Sequence, residues 1–293
     1  MNWILLATIS ALLSAAAAVI QKKVLLRAGA LQFSFLLSIL ILIATLFVPF
    51  SVDVTLIPGR QLLMILGKSV LGAAAFLLVM YSLKHNQISD ALPLLGLTPA
   101  ATALLALGIL GESLRGWEWI GILLMIAGTY ILEKKPSQRF FDPFKSLLLS
   151  KQHTYIFGAV LLFALSSVVD KALVSNYNID PLVVLFYQHI TYAVVLGCAL
   201  FAAGSGLHDL IPQERSELIL IVTVALLTVA YRLTQLDATK LAPVALVLAL
   251  KRTSILYASF FGGRLFRDER LGWRLAGAFL IVASGFIILR NVG

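Results

Sequence analysis

Charge is what this sequence has least of: only 13% of its 293 residues are Asp, Glu, Lys or Arg, while 60% are hydrophobic. A soluble domain carries about 25% charged residues and about 45–50% apolar ones, so a soluble globule is excluded. Cysteine is nearly absent. The single Cys198 rules out an internal disulfide and leaves too few thiols for a zinc or iron–sulfur site. The four histidines, His85, His153, His189 and His208, are scattered along the chain. Walker A, HExxH and Gly-x-Ser-x-Gly sequences are missing. No loop gathers the Asp, His and Ser that a membrane enzyme acting on lipid needs. The sequence therefore predicts no catalysis, no direct use of ATP, no resident metal and no cofactor.

What the chain has instead is apolar length. Mean hydropathy is +0.97, and ten stretches read as spans, at residues 3–20, 31–50, 62–83, 88–110, 117–132, 155–174, 182–203, 218–236, 241–261 and 271–289. One crossing takes ~20 apolar residues. Helix is the only option, because each run is apolar on every face, whereas barrel strands alternate. The predicted fold class is all-α, a polytopic membrane protein with ten transmembrane helices. In the first stretch Ser14-Ala15-Ala16-Ala17-Ala18 offers the small residues of a signal-peptide cleavage site, but no basic segment precedes it and Gln21-Lys22-Lys23 follows. Its rungs of Ala7, Ala11 and Ala15, and of Ser10, Ser14 and Ala18, fit close helix packing.

Lys and Arg number 23 against 14 Asp and Glu, a formal charge of +9. In short loops this excess orients the chain and meets anionic lipid head groups, with no need of nucleic acid. Loops after the odd-numbered stretches carry 13 Lys and Arg, and those on the other side 5. The odd-numbered loops are thus expected in the cytoplasm and both termini outside.

A basic linker, residues 133–154, divides five stretches from five, giving units at 1–132 and 155–293. Val19-Ile20-Gln21-Lys22 matches Val168-Val169-Asp170-Lys171 at an offset of 149, and Tyr81 and Pro93 match Tyr231 and Pro243 at an offset of 150. Gly111-Glu112-Ser113-Leu114 resembles Asp268-Glu269-Arg270-Leu271 at an offset of 157. With five crossings per unit, the second enters the membrane from the opposite side, which makes two inverted five-helix repeats.

These residues resemble a family. A lysine ends the first helix of each unit (Lys22, Lys171), and a glutamate follows the fourth of each (Glu112, Glu269) before a Gly-containing entry to the fifth. The pattern resembles the drug/metabolite transporter superfamily, EamA type, over nearly the whole chain. That resemblance implies a ten-helix carrier with a central cavity between the halves, and transport of small metabolites across the plasma (inner) membrane of a prokaryote, as a monomer or homodimer. The sequence departs from the family pattern at two places. Ala16-Ala17 replaces the tryptophan often found in the first helix, and residues 31–50 lack the arginine common in the second.

Charge at mid-span marks the candidate site, because a Lys or Arg at the centre of a helix costs at least ~2.5 kcal/mol on insertion scales. Lys251 and Arg252 lie at the middle of 241–261. Either they bind an anion, the guanidinium through two parallel bonds and the ammonium as a point charge, or they lock helices through Asp90, Asp237 or Glu269. Leu250-Lys251-Arg252-Thr253-Ser254-Ile255 is also similar to the ninth-helix segment of triose-phosphate and nucleotide-sugar translocators, in which the pair binds phosphate.

Other polar residues carry two readings each. Tyr81 and Tyr231, at equivalent repeat positions, serve a shared site or anchor helix ends. Arg232 completes the cavity or pairs with Asp237. Gln188 and His189, with Thr191, form a polar cluster that binds substrate, carries a proton or bonds helix to helix. Lys68 reads as snorkelling to an interface, Glu112 and Glu269 as bracing turns, and Pro93 and Pro99 as bending the fourth helix. The function expected is alternating-access transport of a small anionic metabolite. The competing readings are a flippase for a lipid-linked phosphate and an exporter of amino acids or other neutral metabolites.

Overall fold

The computed structural model describes residues 2–54, 57–85, 93–111, 116–133, 151–204 and 214–267, with isolated positions from 272 to 284. Among the described residues every regular element is helical. The elements are α1 (Trp3–Leu25), α2 (Ala30–Ala44), the short α3 (Val48–Ser51), α4 (Gly59–His85), α5 (Thr98–Leu110), α6 (Gly116–Glu133), α7 (Lys151–Lys171), α8 (Pro181–Ala202), α9 (Arg215–Leu241), α10 (Val244–Lys251) and α11 (Ser254–Leu265). Seven helical runs are long and apolar enough to cross a bilayer, and two shorter apolar helices cover Leu95–Leu110 and Trp119–Gly128. The chain is therefore an integral, multi-pass membrane protein. Most of the tenth expected stretch, residues 134–150 of the linker, Asp90, Glu112 and Glu269 lie outside the described residues, and the last linker residues, from Lys151, already belong to α7.

Local chemistry sets the ends of these helices. The Asn2 side chain accepts from the Ile4 amide, and Asp180 accepts from the Leu182 amide ahead of Pro181 at the first turn. Gly111 ends α5 at φ +67°, a left-handed position that favours a residue without Cβ. After α7 the chain widens into a π-turn, Ala172–Asn176, where the Tyr177 amide donates to the Ala172 carbonyl at 3.0 Å.

Small residues decide which helices approach closely. On α1, Ser14 and Ala18 of the second rung are half-buried and line a cavity, whereas Ala7, Ser10, Ala11 and Ala15 are buried, and α1 packs along α9. The Ser10 hydroxyl donates to the Tyr231 carbonyl at 2.8 Å across that contact. Helix α4 packs along α7, where Ala75 is clustered with Ile156, Ala159 and Val160, while its Gly72 and Ala73 face Tyr192 of α8. The remaining major pairs are α2 with α8, α4 with α8, α2 with α9, α5 with α7, α1 with α10 and α11, and α5 with α10.

Two segments are interrupted, and the interruptions matter for the site. Residues Pro93–Leu97 form a 3-10 turn that leads into α5, in place of one bent helix. The ninth expected helix divides at Arg252-Thr253. There the Thr253 amide donates to Leu250 and the Ile255 amide to Arg252, three residues back instead of four.

Candidate functional site

A partly open cavity of about 170 Å³ lies between the two halves of the chain. Its wall is apolar on one side, with Leu37, Ile41, Phe76, Met80 and Phe163. Small residues of α1, Ser14, Ala15, Ala17 and Ala18, leave it room. Its polar face comes from α7 (Asp170), α8 (Gln188, His189), α9 (Tyr231, Arg232, Gln235) and the α10–α11 break (Lys251, Arg252).

One group of charges is closed on itself. Lys68 and Asp170 form an ion pair at 2.7 Å, their side chains 0% and 3% exposed. Arg232 reaches the other Asp170 oxygen at 3.0 Å through Nη2. The Gln188 amide oxygen accepts from both cations, at 2.5 Å from Lys68 and 2.9 Å from Arg232. Four helices, α4, α7, α8 and α9, are joined by this cluster. The π-turn follows directly on it, and next to Asp170 the Lys171 ammonium donates to the Thr239 and Ala242 carbonyls at 2.9 and 2.8 Å.

The second group is different. Lys251 donates to the Gln235 amide oxygen, and its ammonium sits 4.5 Å from the centre of the Tyr231 ring. Arg252 donates through Nη2 to the Thr98 hydroxyl at 2.8 Å, and that hydroxyl donates to the Leu95 carbonyl at 2.7 Å. The 3-10 turn before α5 thus holds the arginine of the broken ninth segment. Neither cation has a carboxylate partner among the described residues. Three cations, Arg232, Lys251 and Arg252, line the cavity with one carboxylate, Asp170, and the buried Lys68 pairs with that same carboxylate. Asp170 is the only buried acid among the described residues.

Six of the seven residues singled out in the sequence, Lys251, Arg252, Tyr231, Arg232, Gln188 and His189, line this cavity. Tyr81 does not. Its ring packs against Tyr155 at 6.3 Å on the margin of a hydrophobic cluster, so the repeat-related tyrosines occupy different surroundings. Arg232 pairs with Asp170 and leaves Asp237 exposed, because five residues along a helix turn the side chain by about 140°. Lys68 does not snorkel. It lies about 14 Å along α4 from Gly59, and Asp170 holds it in the interior.

Sequence reasoning missed Asp170 and Lys68 as partners, and with them Gln235 and Thr98. The signal for Asp170 was present, since it is the one acid within the stretch 155–174. Nothing local identifies Thr98 or Gln235, which matter only because α5 and α9 bring them to the α10–α11 break.

No curated protein matches this chain. A solved structure described only as the crystal structure of a protein superposes with a TM-score of 0.71. The match covers 97% of this chain and 95% of that one at 16% identity, a likeness of fold alone. The EamA-like transporter family matches residues 1–133 and 151–290, on either side of the basic linker. The two matched stretches take in nearly all of this multi-pass helical chain, and the protein belongs to the EamA-like transporter family.

Proposed function

We propose that this protein is a secondary carrier of a small anionic metabolite, phosphorylated or carboxylate, held at Lys251 and Arg252 and moved by alternating access. The observation that carries the reading is the excess of charge lining the cavity, three cations (Arg232, Lys251, Arg252) against one carboxylate among the described residues, a carboxylate that Lys68 also engages. Uncompensated cations inside a membrane are costly, and an anion in the cavity offsets that cost. Arg252 has a further donor to offer, because Nε has no partner while Nη2 is held by Thr98. Its planar fork suits two oxygens of a phosphate or carboxylate, and Lys251 adds a point charge beside it.

The alternating-access mechanism rests on the helix pairing. Exchanging α1 with α7, α2 with α8, α4 with α9, and α5 with α10 and α11 maps each major packing pair onto another or onto itself. That exchange supports two five-helix repeats related by a pseudo-two-fold axis, inverted because five crossings separate their starts. The loop charges favour a cytoplasmic location for the loops after odd-numbered helices.

A thermal-shift series on purified protein tests the substrate class. Phosphorylated metabolites, carboxylates, amino acids and lipid phosphates are added in turn, and a bound ligand raises the melting temperature by mass action. Shifts confined to soluble anions are the expected outcome. Shifts with amino acids alone would overturn the reading, and shifts with lipid phosphates alone would replace it with that of a flippase.

A further inference from the structure

His189 is 3% exposed and lines the cavity, yet neither of its ring nitrogens has a hydrogen-bond partner. Its ring leans on Tyr192, with centres 5.2 Å apart, which fixes the imidazole without using its polar atoms. Arg232 repeats the pattern. Its Nη2 is spent on Asp170 and Gln188, while its Nε is buried without a partner. Thr228, one turn earlier on the same face of α9, also lines the cavity. A buried polar group left unpaired is costly, so these atoms are served by water or by a polar group of the solute that enters the cavity.

The donor and acceptor inventory narrows what that is. A neutral imidazole offers one donor and one acceptor, and the arginine Nε–H offers a donor only. A hydroxyl donates one bond and accepts up to two, and so serves an imidazole nitrogen and the arginine N–H together. An ammonium only donates, so it leaves the arginine N–H unserved, and it meets the like charges of Arg232 and Lys68. An apolar group leaves every atom unpaired.

We propose that His189 and Arg232 form a second recognition point, one that reads a hydroxyl on the carried anion and rejects an ammonium group. The proposal rests on the anion-carrier reading and deepens it. The substrate is a hydroxylated organic anion whose charged end meets Lys251 and Arg252 and whose hydroxyl meets His189. Zwitterionic amino acids are disfavoured at the same point. A polar site of this kind discriminates strongly against an analogue that lacks the group it bonds, because the protein atoms are then stranded.

The test compares three probes of similar size on the full-length protein: glycerol phosphate, propyl phosphate and aminopropyl phosphate, titrated calorimetrically in detergent. Glycerol phosphate should bind about tenfold or more tightly than propyl phosphate, and aminopropyl phosphate most weakly. His189→Phe should bring the hydroxyl preference close to one. His189→Gln, whose amide keeps a donor and an acceptor, should retain most of it. Equal binding of the three probes by the parent protein would overturn the hydroxyl site and leave the anion carrier standing. So would a preference that survives in His189→Phe. If none of the three binds, this proposal falls, and the anion reading is decided by the carboxylates of the thermal-shift series.

Discussion

Lys68 and Arg232 share the cavity region with Lys251 and Arg252, but their charges are answered differently. The first pair closes on Asp170 and Gln188, with every contact at or below 3.0 Å and Lys68 fully buried. The second pair meets only neutral groups among the described residues, the Gln235 amide, the Tyr231 ring and the Thr98 hydroxyl. A closed ion cluster in a low-dielectric interior is a lock, because removing one member strands the others. Cations held by neutral oxygens keep their attraction for an anion that comes and goes. The same residue types thus do different work according to whether a carboxylate is within reach.

The largest expected effect is on the lock. Asp170→Asn leaves two buried cations without a counter-charge and should cost roughly 3–5 kcal/mol of stability. The measurement is the melting temperature of purified protein beside that of Lys251→Gln, which should stay close to the parent. Equal losses in the two variants would erase the distinction between the pairs.

Lys68→Met should cost less than Asp170→Asn, about 1.5–3 kcal/mol, because Arg232 still answers the carboxylate at 3.0 Å. A loss as large as that of Asp170→Asn would mean that Lys68, and not Asp170, organises the cluster.

The second pair should respond in transport. Arg252→Lys keeps the charge and loses the planar fork, so uptake into proteoliposomes should fall about tenfold, nearly as far as in Arg252→Ala. Lys251→Arg should be partly tolerated. Full uptake in Arg252→Lys would leave only a positive cavity without bidentate recognition.

The smallest effect concerns how Arg252 is held. Thr98→Val removes one neutral hydrogen-bond partner from the guanidinium, a loss of about 1 kcal/mol, which should raise KM several-fold with little change in melting temperature. An unchanged KM would mean that the 3-10 turn before α5 plays no part in placing the arginine.

These contrasts mark how far the sequence could be read. The membrane class, the helical fold and the lining residues of the ninth segment follow from apolar run length and from charges too deep to escape. Asp170 was visible as an acid in an apolar run, but its significance depends on α4, α8 and α9 meeting α7, and no local pattern encodes that meeting. Lys68 looked free to snorkel when measured from the start of its apolar stretch. The helix begins earlier, at Gly59, and so places it deeper. Tyr81 and Tyr231 share a repeat position and still diverge, since their partners, Tyr155 and Lys251, belong to different helices, α7 and α10.

The central claim, that Lys251 and Arg252 hold the carried anion while Lys68 and Arg232 share Asp170, is tested most directly by one calorimetric titration. The anion giving the largest thermal shift is titrated into the parent and into Lys251→Gln/Arg252→Gln at equal protein concentration. Loss of both cations should weaken binding by at least about 100-fold, since each charged hydrogen bond contributes ~1.5–3 kcal/mol. Affinity within threefold of the parent would contradict the account.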